Sequence, residues 1–445
     1  MTKIKNKAWV VAVDMGYGHH RAAFGLRDLA PDKKIIIANN YPGIPARDKK
    51  IWRESREAYE FLSKFKKVPI LGELAFSLLD RLQKIPDFYP RRDLSKPVWQ
   101  LSQVYRYITH KGFVRDLIET LQKYPLPLVT TFPIPAFAAE YYDYPNDIYC
   151  VVCDADMSRF WVPPDPKKSR IKYFAPNGRV VERLKLYGVR DENIFLTGFP
   201  LPPELIGGPN YTDIKHDLPN RLLNLDPNRL FIDRHKKTLE DHLGRGAFPK
   251  KSNHPLTLLF SVGGAGAQRD LAVQVLKSLR VAIKKHQLRY YLVAGTHHEL
   301  QMFFKKAIAD LGLYSQMGKW VDVIYHHRRD DYFADFTKRL HETDLIWTKP
   351  SEMSFYCGLG IPIIIAPPIG SQEDFNKLWL QGVGGGISQY GASSVNEWLF
   401  DWINSGGLAK AAWSGFIEAP THGAYRIEDI ILKRPTVLKP PPLVV

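Results

Sequence analysis

Only three of the 445 residues are cysteine: Cys150, Cys153 and Cys357. Three thiols build no disulfide framework, and Cys150-Val151-Val152-Cys153 lies in an apolar, strand-like run rather than an exposed turn. Buried, reduced thiols in a cytoplasmic protein are therefore expected. No apolar stretch approaches the roughly 20 residues of a membrane span. The opening residues Met1-Thr2-Lys3-Ile4-Lys5-Asn6-Lys7 lead straight into a short strand ending at Asp14, so neither secretion nor membrane insertion is expected. Zinc-finger spacing, an RNA-recognition aromatic motif and an arginine-rich tail are all missing, which disfavours a dedicated nucleic-acid partner. Short-period repeats are missing too. Acidic side chains are in deficit, 46 Asp and Glu against 62 Lys and Arg, leaving a formal charge of +16. That excess suits an anionic membrane surface or a phosphate-bearing ligand, and equally a set of solvated lysine faces.

What is present is the composition of a globular protein, 45% apolar and 24% charged. The length exceeds what one hydrophobic core serves, so two domains are expected. Two glycine-rich turns, one in each half, follow buried-type strands and open helices. Residues 8–13 run into Asp14-Met15-Gly16-Tyr17-Gly18-His19-His20, and residues 256–262 run into Gly263-Gly264-Ala265-Gly266. Glycine lets the backbone turn sharply and approach a ligand, and the N–H groups of the following helix attract anions. Strands are read at 9–13, 34–38, 128–131, 148–153 and 194–197 in the first half, and at 256–262, 290–294, 321–325, 345–347 and 361–366 in the second. Helices are read at 20–29 and 269–285. The turns Thr130-Thr131-Phe132-Pro133, Asp154-Ala155-Asp156 and Gly198-Phe199-Pro200 would ring one cleft with His19, because ligands gather at the carboxyl ends of parallel strands.

Between the first strands lies a basic, aromatic-rich helical region, residues 51–108, in which Trp52, Tyr59, Phe61 and Phe65 are flanked by Lys and Arg. It reads either as a membrane-interface helix or as a core-facing stripe with a solvated back. Residues 203–253 lose their rhythm, become charged and read as a linker or insert with some helix of its own. The expected organisation is an acceptor domain at 1–202, that linker, a donor domain at 254–438 and a disordered tail at 439–445.

Four stretches carry a resemblance. Phe174-Ala175-Pro176-Asn177, with Val181-Glu182-Arg183-Leu184 and Ile194-Phe195-Leu196-Thr197-Gly198-Phe199-Pro200, resembles the segment closing the N-terminal domain of certain two-domain glycosyltransferases. These are the monogalactosyldiacylglycerol synthases, diacylglycerol glucosyltransferases and lipid-linked N-acetylglucosaminyl transferases of peptidoglycan synthesis. Gly16-Tyr17-Gly18-His19, Gly263-Gly264-Ala265-Gly266, and Thr348-Lys349-Pro350-Ser351-Glu352 leading to Gly360-Ile361-Pro362 and Gln372-Glu373-Asp374-Phe375-Asn376 follow in the family's order.

The resemblance implies an α/β fold of two Rossmann-like domains facing a central cleft, the GT-B type. It also implies inverting transfer of a hexose from a nucleotide sugar, a UDP-sugar, to an acceptor hydroxyl, without metal or other cofactor. The acceptor is a lipid or another hydroxyl compound, and the protein a peripheral one at the inner face of the membrane. His19 falls where the family places its acceptor-side histidine, with His20 its rival by one residue. An imidazole suits the base that such a displacement needs. Asp14 and Asp156, each just past a strand, are secondary catalytic candidates, and Gly16, Gly18 and Thr131 line the acceptor side. For the donor the candidates are Gly263, Gly264, Ala265, Gly266, Lys349, Pro350, Ser351, Glu352, Gln372, Glu373 and Asn376. Backbone N–H groups and Lys349 would offset the charge of the departing diphosphate. The chain departs from the family at Phe355, five residues before Gly360, where the family has a ribose-binding glutamate; Glu352 is the substitute at hand. A UDP-sugar 2-epimerase and a catalytically silent sugar-nucleotide binder are the alternatives.

Overall fold

The computed structural model describes residues 7–65, 85–262, 266, 268–368 and 371–441, without the side chains of 58–65 and 371. By contacts the chain divides into two compact units, one made of Met1–Leu201, Gly370–Asn376 and His422–Val445, the other of Pro202–Ile369 and Lys377–Thr421.

In the first unit, β1 (Trp9–Ala12), β2 (Ile36–Ile37), β3 (Leu128–Thr130), β4 (Ile148–Val151), β5 (Lys172–Ala175) and β6 (Ile194–Leu196) form one sheet in the order β2-β1-β3-β4-β5-β6. In the second, β7 (Thr257–Ser261), β8 (Arg289–Gly295), β9 (Val321–Tyr325), β10 (Leu345–Thr348), β11 (Ile363–Ile365) and β12 (Gly386–Ser388) form another in the order β12-β11-β10-β7-β8-β9. Every pairing is parallel. Apolar runs such as Ile148-Tyr149-Cys150-Val151 are buried along their whole length, as central strands of a sheet covered on both faces must be. Both units are Rossmann-like. The second sheet, renumbered from β7, has the 3-2-1-4-5-6 order of dinucleotide-binding folds, and the first begins 2-1-3-4-5. Connections therefore reverse direction between β1 and β3, and between β7 and β10.

Beyond these sheets several expectations need correction. Residues 203–253 lie within the second unit and form helices Thr212–Leu225, Leu230–Arg234 and Lys236–Leu243. A few of their charged side chains are buried and structural. Arg221, 2% exposed, donates to the carbonyls of Thr343 and Leu359 at 2.8 and 2.9 Å. Asp226 accepts from the N–H groups of Leu230, Phe231 and Ile232, which satisfies the otherwise orphaned start of the second helix. The last helix, Gly423–Ile431, belongs to the first unit and not to the donor half. Arg426 donates to the carbonyl of Thr197 at 2.9 Å, and a Cβ at Gly423 would stand 2.2 Å from the carbonyl oxygen of Phe199. Gly25 meets the same segment, where a Cβ would fall 2.0 Å from the Pro200 oxygen.

The helix Ala46–Phe65 is amphipathic, but Trp52 is 2% exposed and packs on Phe113 with ring centroids 5.0 Å apart. It is core, not membrane-facing. The side chains of Tyr59, Phe61 and Phe65 lie outside the described residues. No helix among the described residues is long and apolar enough to cross a membrane. The three cysteines are buried and form no disulfide.

Candidate functional site

At the first reversal, Gly16 stands between β1 and the helix Tyr17–Gly25 with φ +107°, a conformation L side chains rarely adopt, and nothing lies within 4 Å of where its Cβ would be. The turn places Gly18 and His19 in the first helical turn, which has no side-chain cap. Across the reversal, Thr131 follows β3, and its carbonyl oxygen lies 2.6 Å from His19 Nδ1. A carbonyl only accepts, so Nδ1 carries the proton and Nε2 keeps the lone pair. Burial pushes the His19 pKa down to about 4; the bond to Thr131 opposes that shift and the neighbouring His20 adds to it. The imidazole is thus neutral at pH 7. Phe132 meets it edge-on at 5.0 Å, and Trp161 lies 6.1 Å away.

His20 has a different setting. It is 2% exposed, with Nε2 3.2 Å from Asp14 Oδ1. Asp14 keeps its side chain 34% exposed while its backbone is fixed by Asn39, which accepts from the Asp14 N–H at 2.9 Å. Thr131 Oγ1 is buried without a hydrogen-bond partner among the described residues.

Asp156 is fully buried after β4. Arg183 grips it with two bonds of 2.8 Å, Arg179 adds one of 2.9 Å, and the Met157 N–H a fourth. With four donors on a fully buried carboxylate, Asp156 braces the turn and is shielded from solvent. The nearby Asn177 caps the helix Gly178–Leu186 through the Val180 N–H.

The donor candidates separate. Gly263, Gly264 and Ala265 lie outside the described residues. Gly266 has φ +64° and sits ahead of the helix Arg269–Lys284. Lys349, Pro350 and Ser351 follow β10 at the second reversal, and Glu352 begins a 3₁₀ helix, Glu352–Leu359. Lys349 and Glu352 both engage neighbours. Phe355, at the family's glutamate position, is 1% exposed and packs on Trp379 at 4.7 Å, so this position is core. Gln372, Glu373 and Asn376 open the helix Ser371–Gly382, and their segment belongs by contacts to the first unit. The fully buried amide of Asn376 is occupied by the turn after β4: Oδ1 accepts from the Ala155 N–H at 2.7 Å and Nδ2 donates to Asp154 at 2.9 Å. No group of three His, Cys, Asp or Glu among the described residues could hold a metal ion.

Four residues of the two reversal points stand outside the motif candidates: Asn39, Phe132, Trp161 and Gln268. Phe132 lies within the turn after β3, and Asn39 follows a strand end, so position alone could have pointed to both; Trp161 gives no signal in the sequence.

A family described as a domain of unknown function (DUF6938) matches residues 238–390. No curated protein matches the chain. Among solved structures the chain is similar to MurG of Acinetobacter baumannii, with 12% identity, 96% of this chain and 99% of that one covered, and a TM-score of 0.43. It is also similar to the UDP-GlcNAc 2-epimerase of Neisseria meningitidis bound to UDP-GlcNAc (14%, 77% and 84%, 0.42) and to a glycosyltransferase of Rickettsia africae (14%, 72% and 81%, 0.40).

Proposed function

We propose that the protein is an inverting, metal-independent glycosyltransferase of the hexosyltransferase type, taking a UDP-sugar and delivering the sugar to a hydroxyl acceptor. The observation that carries this is His19. A neutral imidazole, its tautomer fixed by the Thr131 carbonyl, keeps its Nε2 lone pair, with no hydrogen-bond partner among the described residues, at the reversal point of a parallel sheet. In the reaction the acceptor oxygen attacks the anomeric carbon, the bond to the diphosphate oxygen breaks, and Nε2 takes the hydroxyl proton. Gly16, Gly18 and Thr131 shape the acceptor side; Gly263, Gly264, Ala265, Gly266, Lys349, Pro350, Ser351 and Glu352 serve the donor. A lipid acceptor and peripheral attachment to an anionic cytoplasmic membrane face complete the reading, on the strength of the +16 charge and the motif resemblance.

The test is product formation from UDP-glucose, UDP-galactose and UDP-GlcNAc, with and without diacylglycerol vesicles and chelator, in wild type and His19→Ala. UDP release that needs His19 and survives chelator supports the reading. Epimerised sugar nucleotide formed without acceptor would replace it with the epimerase. One observation favours a silent binder as second reading: Phe355, packed under Trp379, offers a ribose no carboxylate. UDP binding with no turnover of any sugar nucleotide would decide for it.

A further inference from the structure

Trp161 ends the short 3₁₀ turn Arg159–Trp161, and that turn is held from two sides. The guanidinium of Arg159, a residue 3% exposed, donates to the carbonyls of Ser95 and Pro163 at 2.7 and 2.9 Å, and the Trp161 carbonyl accepts from the Tyr173 hydroxyl at 3.0 Å. A ring on so constrained a backbone is pre-organised for contact. Its centroid lies 6.1 Å from that of His19, with the two planes 40° apart, and 6.1 Å from that of Phe132. His19 and Trp161 are each half-buried, so both keep surface in contact with solvent. The indole Nε1 of Trp161 has no hydrogen-bond partner among the described residues and, unlike those of Trp52 and Trp379, is not sealed in the core. A free N–H donor thus stands on the ring beside the free lone pair of His19 Nε2.

We propose that Trp161 orients the acceptor, its indole N–H donating to the same oxygen whose proton His19 Nε2 removes. The inference rests on the glycosyltransferase reading above. A hydroxyl fits both atoms, because it donates to a lone pair and accepts from an N–H at one oxygen. A phosphate diester brings no proton for Nε2 at pH 7, and an ammonium brings no lone pair for the indole. One oxygen about 3 Å from each nitrogen bridges rings whose centroids stand 6.1 Å apart. Of that oxygen's two lone pairs, one accepts from the indole and the other attacks the anomeric carbon. As the hydroxyl proton passes to Nε2 and the bond to the diphosphate oxygen breaks, the N–H offsets negative charge developing on the attacking oxygen.

The experiment is steady-state transfer by the full chain from UDP-glucose, UDP-galactose and UDP-GlcNAc to dioctanoylglycerol, in wild type, Trp161→Phe and Trp161→Leu, with denaturation midpoints measured alongside. The phenylalanine keeps an aromatic ring and loses the N–H; the leucine loses both. In Trp161→Phe, kcat/KM for the acceptor should fall roughly tenfold, as loss of one hydrogen bond implies, and in Trp161→Leu at least as far. KM for the UDP-sugar and the midpoint of Trp161→Phe should stay at their wild-type values. Wild-type acceptor kinetics in Trp161→Phe, with a fall only in Trp161→Leu, assign the ring to packing against His19 and Phe132 and overturn the inference. An equal loss for donor and acceptor overturns it as well. If the wild type transfers sugar from none of the three donors, the glycosyltransferase reading fails first and takes this inference with it.

Discussion

The two reversal points are built alike and differ in the atom each leaves over. In the first unit, a residue from the helix after β1 donates to a carbonyl beyond β3; in the second, a residue from the start of the helix after β7 donates to a carbonyl beyond β11. His19 retains a ring nitrogen that takes up a proton. Gln268 retains an amide oxygen that accepts a hydrogen bond and stays unprotonated. A similar local construction thus leaves a lone pair on an imidazole in one sheet and on an amide in the other, and the proposed function uses the first as its base. The strands bridged differ as well, since β1 and β3 are neighbours whereas β10 lies between β7 and β11.

Removing the base should produce the largest effect. His19→Ala is expected to lower turnover on the order of 100- to 10,000-fold, the range of a lost general base, with binding of UDP nearly unchanged; an equal loss of UDP affinity would assign His19 to donor binding. His20→Ala should cost stability more than turnover, and a reversal of that order would move the base by one residue.

The buried carboxylate offers the contrast. Arg183→Met leaves Asp156 without its bidentate partner, and breaking such a buried pair costs about 3–5 kcal/mol, to be read as a fall in denaturation midpoint. If Asp156→Asn instead abolished turnover while leaving stability intact, Asp156 would return to the catalytic set.

The His19 titration gives a third measure. Its folded pKa, about 4, is below the 6.5 of the free side chain. Between those values the unfolded chain binds more protons, so stability falls as pH drops from 6.5 towards 4 and is unaffected by this group above 6.5. The full span is on the order of 3 kcal/mol, and His19→Gln should flatten it in urea titrations at successive pH values. His341 behaves oppositely. Its bond to Asp217 at 2.6 Å raises its pKa, so its contribution is complete below 6.5 and fades as pH rises through the folded value. His341→Gln should therefore reduce the loss of stability on the alkaline side.

The smallest expected effect is at Glu352. If its carboxylate holds the ribose in place of the family's glutamate, whose position Phe355 fills here, Glu352→Gln should weaken UDP more than deoxy-UDP, by about 1.5–3 kcal/mol for a charge-assisted hydrogen bond. Equal losses would make it a helix-start residue only.

Much of the scaffold was legible because its signals are local. Largely apolar runs mark β3, β4 and β7, and the glycines of the first turn mark a positive φ at Gly16. What failed was non-local. Strand β12 is three residues long and preceded by glycines, and β5 shows in the sequence only as part of a motif. Asp156 has the same position after a strand as a catalytic carboxylate; only folding brings Arg179 and Arg183, spaced one helical turn apart, onto it. Asn376 looks like a donor ligand because its buried partners at Asp154 and Ala155 lie far away in sequence. The charged run 203–253 looks like a linker because charge usually marks solvent, whereas Arg221 and Asp226 are 2% and 0% exposed.

The return of the last helix to the first unit has a consequence for biosynthesis. The Gly198-Phe199-Pro200 segment closely approaches both Gly25 and Gly423, and Lys7 pairs with Glu428 at 2.6 Å, so the first strand's approach is tied down by a residue 421 positions later in the chain. A ribosome adding about 5–20 residues per second needs on the order of ten seconds or more to travel from that segment to Gly423. Throughout that interval the nascent first unit stays unfinished, with the backbone that Gly423 later covers open to chaperones and proteases. Emergence of the helix Gly423–Ile431 from the exit tunnel, not completion of residue 201, is the event that closes it.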